Sequence, residues 1–132
     1  MPPKILVIDD DPDIVDALSV LLEGEGYEVV SARDGEEGLA RIREESPDLI
    51  ILDLLMPKLD GYGVCRTLTD PRWSKWREIP VIVLTSVREE ASQRRYELET
   101  GMRMDVDDYI EKPLDPDVVV DRVRKIMARK GD

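Results

Sequence analysis

The chain contains no histidine. That absence excludes a histidine-based catalytic triad, a histidine metal site and an internal phosphohistidine. A single cysteine, Cys65, cannot close an internal disulfide, so a reducing cytoplasm is the expected setting. Its bland reading is a small buried hydrophobe and its functional one a reactive thiol. No apolar run approaches the roughly 18 residues of a membrane span. Met1-Pro2-Pro3-Lys4 leads directly into a strand pattern, so no leader peptide is expected. Basic residues are scarce: nineteen Lys and Arg stand against thirty Asp and Glu, a formal charge of −11. Such a field repels nucleic-acid phosphates and anionic membranes, so neither is an expected partner. It suits a divalent cation or a basic patch on another protein.

What is present is a regular alternation. Short β-branched runs at 5–8 (ILVI), 28–32 (EVVSA), 49–52 (LIIL), 81–84 (VIVL) and 108–110 (DYI) read as strands. Three of them are wholly apolar, as parallel strands covered on both faces should be. Helical stripes lie between them. Ile14, Val15, Leu18, Leu21 and Leu22 form the first, stopped by Gly24 and Gly26. Leu39 and Ile42 mark a second behind Asp34 and Glu37, and Val64 and Leu68 a third after Gly61. A weak stripe covers 88–100, and a last helix runs from Pro116 to about Arg129. Five successive βα units predict an α/β fold: a flavodoxin-like, doubly wound, five-stranded parallel sheet of order 2-1-3-4-5 with five helices. With 132 residues, no repeat and no linker, one domain over 1–132 is expected, its ordered core at about 4–130.

Ligands of such sheets bind beyond the carboxyl ends of the strands. There the sequence places Asp9 and Asp10 in "LVIDDDPD", Asp53 in "LIILD", Thr85 in "VIVLTS" and Lys112 in "EKP". Adjacent carboxylates at about 4 Å repel by about 4 kcal/mol at an effective dielectric near 20, so the cluster needs a positive partner. Asp11 has its own explanation, because a residue before proline favours the extended backbone of a helix cap. Asp9, Asp10 and Asp53 suit Mg²⁺, and Lys112 adds a second cation. Together they form a kit for phosphoryl transfer. A carboxylate can itself be the nucleophile, and Asp53, on the central strand, fits that role. Asp9 and Asp10 would hold the ion, while Thr85 and Lys112 would contact phosphoryl oxygens. Taken singly, an aspartate after a strand is an ordinary turn or cap residue; their convergence at the strand ends is what points to chemistry.

These segments, with "LIILDLLMPKLDGYGV" and "DDYIEKPLDPDVVVDRV", resemble the receiver domain of two-component response regulators of the stand-alone, chemotaxis-regulator type. The resemblance spans nearly the whole chain in the family's order. It implies that Asp53 is the phosphoacceptor and that Asp9 and Asp10 bind Mg²⁺ (Mn²⁺ can substitute), with the Leu55 main-chain carbonyl as a further ligand. It makes Thr85 the switch hydroxyl, Lys112 a phosphoryl contact, Tyr109 the aromatic switch and the peptide before Pro113 cis. Such a domain is a signalling phosphoacceptor that assists its own phosphorylation and dephosphorylation rather than an enzyme. Its donor is a sensor histidine kinase or histidine phosphotransfer protein, its output an unknown protein target, with a phosphorylation-dependent dimer left open.

Two stretches depart from the family pattern. "GMRMDVDDY" is longer than usual, with Met102 and Met104 as gap-filling or contact residues. "DPRWSKWREIP" is also long and carries both tryptophans. Three rival functions meet the same residues. A flavin electron carrier needs hydroxyl and glycine donors where this chain has "DDDPD". An aspartyl phosphatase commonly has a second aspartate two residues after the first, where this chain has Leu55. Against a receiver-shaped module that is never phosphorylated stand the complete acidic pair, acceptor and lysine, and a phosphorylation assay decides.

Overall fold

The computed structural model of the chain describes residues 2–54, 56, 59–86 and 106–131. The strands are β1 (Lys4–Ile8), β2 (Glu28–Ala32), β3 (Leu49–Asp53), β4 (Val81–Thr85) and β5 (Asp108–Glu111). The helices are α1 (Pro12–Gly24), α2 (Gly35–Glu45), α3 (Gly61–Leu68) and α4 (Pro116–Gly131), with a 3₁₀ helix at Pro71–Trp76. The stripe at 88–100 falls outside the described residues, as do Met102 and Met104.

Capping chemistry fixes where the helices begin. Asp11, extended at φ −89° and ψ 109°, accepts from the Asp13 amide, with Pro12 opening α1. Asp34 accepts from the Glu37 amide at 2.8 Å to start α2, and Asp60 from the Gly63 amide at 2.9 Å to start α3. Asp115 accepts from the Asp117 amide at 2.9 Å at the head of α4. Each cap satisfies a donor that the first helical turn leaves open.

All strand pairs are parallel, in the order β2-β1-β3-β4-β5. Side chains alternate across the sheet, and the alternation sorts the core into two layers. Ile5, Val7, Leu49, Ile51, Ile82 and Leu84 pack with Leu18 and Leu22 of α1 and Val119, Val123 and Ile126 of α4. Leu6, Ile8, Ile50, Leu52, Val81 and Val83 pack with Ile42 of α2 and Val64 and Leu68 of α3. Each fully buried aliphatic side chain contributes roughly 1.5–3 kcal/mol, which makes the central strands a rigid platform. In the long stretch before β4, Trp73 and Trp76 pack 5.2 Å apart against the second layer. The Arg43 guanidinium lies 4.8 Å from the Trp73 ring centre, tying this stretch to α2. No helix among the described residues is long and apolar enough to cross a membrane.

Candidate functional site

Parallel pairing brings the predicted rim residues together. β1 and β3 are registered Ile5 to Leu49 through Ile8 to Leu52, so one further residue along each strand sets Asp9 beside Asp53. On the other side of β3, Asp53 pairs with Leu84, the residue before Thr85. Thr85 in turn pairs with Glu111, and the Lys112 amide donates to the Thr85 carbonyl at 2.7 Å. Four strand ends thus deliver their polar residues to one edge.

Among the described residues, Asp9, Asp53 and Thr85 are the buried polar side chains in an otherwise apolar interior, at 1%, 2% and 2% exposure. The Lys112 ammonium donates to Asp53 Oδ1 at 3.2 Å and stands 3.9 Å from Asp9 Oδ2. One cation therefore faces two buried carboxylates. Exposed Asp10 completes the cluster: one carboxylate oxygen each from Asp9, Asp10 and Asp53 lie within 4.8 Å of one another.

Asp9 carries the clearest electrostatic signature. Its Oδ1 accepts from the Asp11 amide at 2.9 Å, whereas its buried Oδ2 has no hydrogen-bond partner among the described residues. Burial pushes the Asp9 carboxyl above the usual range, and the Asp10 and Asp11 charges push it the same way. The Asp11 hydrogen bond and Lys112 oppose that rise. A buried carboxylate oxygen without a hydrogen bond costs about 1–3 kcal/mol, and Asp9 is one of three clustered hard oxygen donors. That donor set fits a small divalent cation such as Mg²⁺.

The Thr85 hydroxyl donates to the Ser86 carbonyl at 3.2 Å. Half-buried Tyr109 packs against the second core layer and lines a cleft with Thr85, Pro113, Val118 and Arg122. The Lys112–Pro113 peptide is cis. Leu55 lies outside the described residues. Half-buried Cys65 lines a separate cavity with Leu68 and Ile79, away from this rim.

Some contributors were not anticipated from sequence. Arg122 of α4 donates to the Asp108 carboxylate at 2.7 Å and to the Tyr109 carbonyl at 3.3 Å, fixing β5 behind the rim. The Gly61 amide donates to the Leu54 carbonyl at 2.9 Å. A Cβ at Gly61 would stand 2.6 Å from the Asp53 carbonyl oxygen, so only glycine lets α3 start this close to the end of β3. The sequence pattern starts a helix after Gly61; the closeness of β3 is the part that no local pattern carries.

The family model for the response regulator receiver domain matches residues 5–124. The chain belongs to this family. Receiver domains take a phosphoryl group onto an aspartate as their general mechanism. Among similar proteins, the "Probable transcriptional regulator ycf27" of Porphyridium aerugineum is 43% identical over 126 residues, covering 96% of this chain and 48% of that protein. The alkaline phosphatase synthesis transcriptional regulatory protein PhoP of Bacillus subtilis is 41% identical, covering 96% and 49%. The receiver domain chain spans about half the length of the curated relatives it matches. A solved receiver domain of a signal transduction histidine kinase from Syntrophus aciditrophicus superposes with a TM-score of 0.79 at 35% identity, covering 96% of this chain and 90% of that one.

Proposed function

We propose that Asp53 is the phosphoacceptor of this receiver domain and that the charge it gains resets a protein-binding surface. The observation that carries the reading is Asp53 itself. It is a carboxylate exposed by only 2% at a sheet rim, with the Lys112 ammonium 3.2 Å away and two further acids in the same cluster. In the transfer, an Asp53 carboxylate oxygen forms a bond to phosphorus as the P–N bond of the donor phosphohistidine breaks. The electron pair stays on the departing imidazole nitrogen, which is then protonated from solvent. Lys112 neutralises one phosphoryl oxygen, and the Thr85 hydroxyl leaves the Ser86 carbonyl to donate to another.

Asp9, Asp10, Asp53 and the Leu55 carbonyl would hold Mg²⁺, or Mn²⁺ in its place. The ion's contribution is positive charge against the phosphoryl oxygens and the crowded carboxylates. As Thr85 moves, Tyr109 turns into the space beside it, and the surface around β5 and α4 changes shape and charge. The donor is a sensor histidine kinase or a histidine phosphotransfer protein, a reading that agrees with the lack of histidine in this chain. The recipient of the signal is a protein, with a phosphorylation-dependent dimer as one form of it. The setting is the cytoplasm, and residues 1–132 act as a single receiver unit.

Intact-mass measurement after incubation with acetyl phosphate tests the assignment. The wild type should gain one phosphoryl group only when Mg²⁺ is supplied, and Asp53→Asn should gain none. Labelling of Asp53→Asn at the wild-type level would show that the acceptor lies elsewhere.

A further inference from the structure

In a chain of formal charge −11, residues 66–77 (RTLTDPRWSKWR) hold four basic side chains against one acid. Both tryptophans of the chain fall in the same stretch. Elsewhere on the described surface, Lys4, Arg41, Arg122, Arg124, Lys125 and Arg129 each stand within 4.0 Å of a carboxylate. Arg72 is likewise held by Asp70, at 2.9 and 3.1 Å. Exposed Arg43, Lys75 and Arg77 differ, for they have no carboxylate partner among the described residues. They share this with Arg33, which follows β2 and contacts neither tryptophan ring. The Arg43 guanidinium lies 4.8 Å from the Trp73 ring centre and 5.8 Å from that of Trp76. The Lys75 ammonium lies 5.5 Å from the Trp76 ring centre, and Arg77 donates to the Thr69 carbonyl at 2.5 Å. Three cations thus keep their full charge around one half-buried pair of rings.

We propose that this face, built from Arg43, Trp73, Lys75, Trp76 and Arg77, is a docking surface for an acidic segment of a partner protein. A guanidinium resting over aromatic rings is held by its face, which leaves the N–H fork at its edge to grip a carboxylate bidentately. Part of the side-chain entropy that binding would cost is already lost in that contact. Charge complementarity selects an acidic occupant, and the rest of the molecule selects a protein over nucleic acid. A phosphate strand running past the patch would meet the acidic surface that gives the chain its −11. The two indoles, half-buried and tilted by 57°, offer no parallel platforms for successive bases either.

The face lies away from the phosphoacceptor rim. Lys4, at the start of β1, donates to Glu45 at the end of α2 at 2.7 Å, and Trp76 Nε1 donates to Ser46 Oγ at 3.4 Å. The patch therefore sits at the amino ends of the strands, whereas Asp9, Asp53 and Thr85 lie at or just beyond their carboxyl ends. The inference does not rest on the proposed function, and it is tested on unphosphorylated protein without Mg²⁺.

Tryptophan emission of the unlabelled chain reports on this face, because both indoles belong to it. Oligoglutamate of about ten residues, titrated at low salt, should change that emission saturably, with half-saturation below about 1 mM. Calorimetry of the same mixture covers binding that leaves the emission unaltered. Lys75→Glu, a change at an exposed position that leaves the fold intact, should lower the affinity about fivefold. Arg43→Lys keeps the charge but loses the fork, and should lower it by about the same factor. Neither heat nor emission change below about 1 mM overturns the proposal, as does wild-type affinity in either variant. Tighter binding of oligothymidylate carrying the same charge would assign the face to nucleic acid and overturn it. So would self-association of the wild type that Lys75→Glu abolishes, which would give the face to a second copy of the chain.

Discussion

Replacing Asp9 by asparagine should make the metal-free protein more stable while abolishing its response to Mg²⁺. Asp9 is 1% exposed and lies 3.9 Å from the Lys112 ammonium, an attraction of about 4 kcal/mol at an effective dielectric near 20. Its oxygen lies within 4.8 Å of one on Asp53, a repulsion of at least about 3.5 kcal/mol on the same basis. These nearly cancel. What is left is the burial of a charged group whose Oδ2 has no hydrogen-bond partner among the described residues, a cost of about 1–3 kcal/mol. Asparagine keeps the shape and the acceptor for the Asp11 amide, removes the charge and offers a donor toward Asp53. Melting in EDTA, followed by circular dichroism, should rise by roughly 3–10 °C for a domain of this size.

The pH dependence has a definite sign. Burial raises the Asp9 carboxyl above its ordinary value of 3.8. Native stability is therefore fully present below that unfolded-state value and is lost as pH rises through the elevated native one. The advantage of asparagine should accordingly be greatest near neutrality and vanish in acid. Mg²⁺ at about 100 times its dissociation constant should stabilise the wild type by about 2.7 kcal/mol and leave Asp9→Asn unmoved. A variant that melts lower than the wild type in EDTA, or that responds equally to Mg²⁺, refutes the reasoning.

Other perturbations separate the roles of neighbouring groups. Asp10 is exposed, so Asp10→Ala should change stability by no more than about 0.5 kcal/mol yet weaken Mg²⁺ in a fluorescence titration. Lys112→Ala leaves Asp9 and Asp53 buried without their cation and should cost about 3 kcal/mol in metal-free denaturant melts. Mg²⁺ should still bind that variant, but the spectral change on phosphorylation should be missing. Asp34→Ala removes the cap of α2 and should cost about 1 kcal/mol in the same melts; no loss would mean that the Glu37 amide finds another acceptor.

Much of this architecture is legible along the chain because parallel strands covered on both faces write themselves as apolar runs. β2 falls on the expected residues, while β3 and β4 each extend one residue further, to Asp53 and Thr85. Those polar ends keep their ladder pairing, which a hydrophobicity pattern cannot register. The 3₁₀ helix at Pro71–Trp76 escapes the same reading because its stability comes from an Asp70 cap and from Trp73 packing under Arg43, not from a periodic stripe. At the site, residue types at strand ends were enough to gather Asp9, Asp10, Asp53, Thr85 and Lys112. Which carboxylates the lysine reaches depends on strand register, and no local pattern carries that. The same holds for the approach of Gly61 to the Asp53 carbonyl: the sequence displays a glycine, and only the folded chain displays what it must make room for.

The central claim is that phosphorus is carried by Asp53. Borohydride reduces an aspartyl phosphate to homoserine, so reductive trapping after acetyl phosphate and Mg²⁺ treatment, followed by peptide mass mapping, locates the acceptor directly. The account predicts homoserine at position 53, with Asp9 and Asp10 intact. Reduction at Asp9 or Asp10, or none anywhere in a chain whose mass shows the phosphoryl gain, would contradict it.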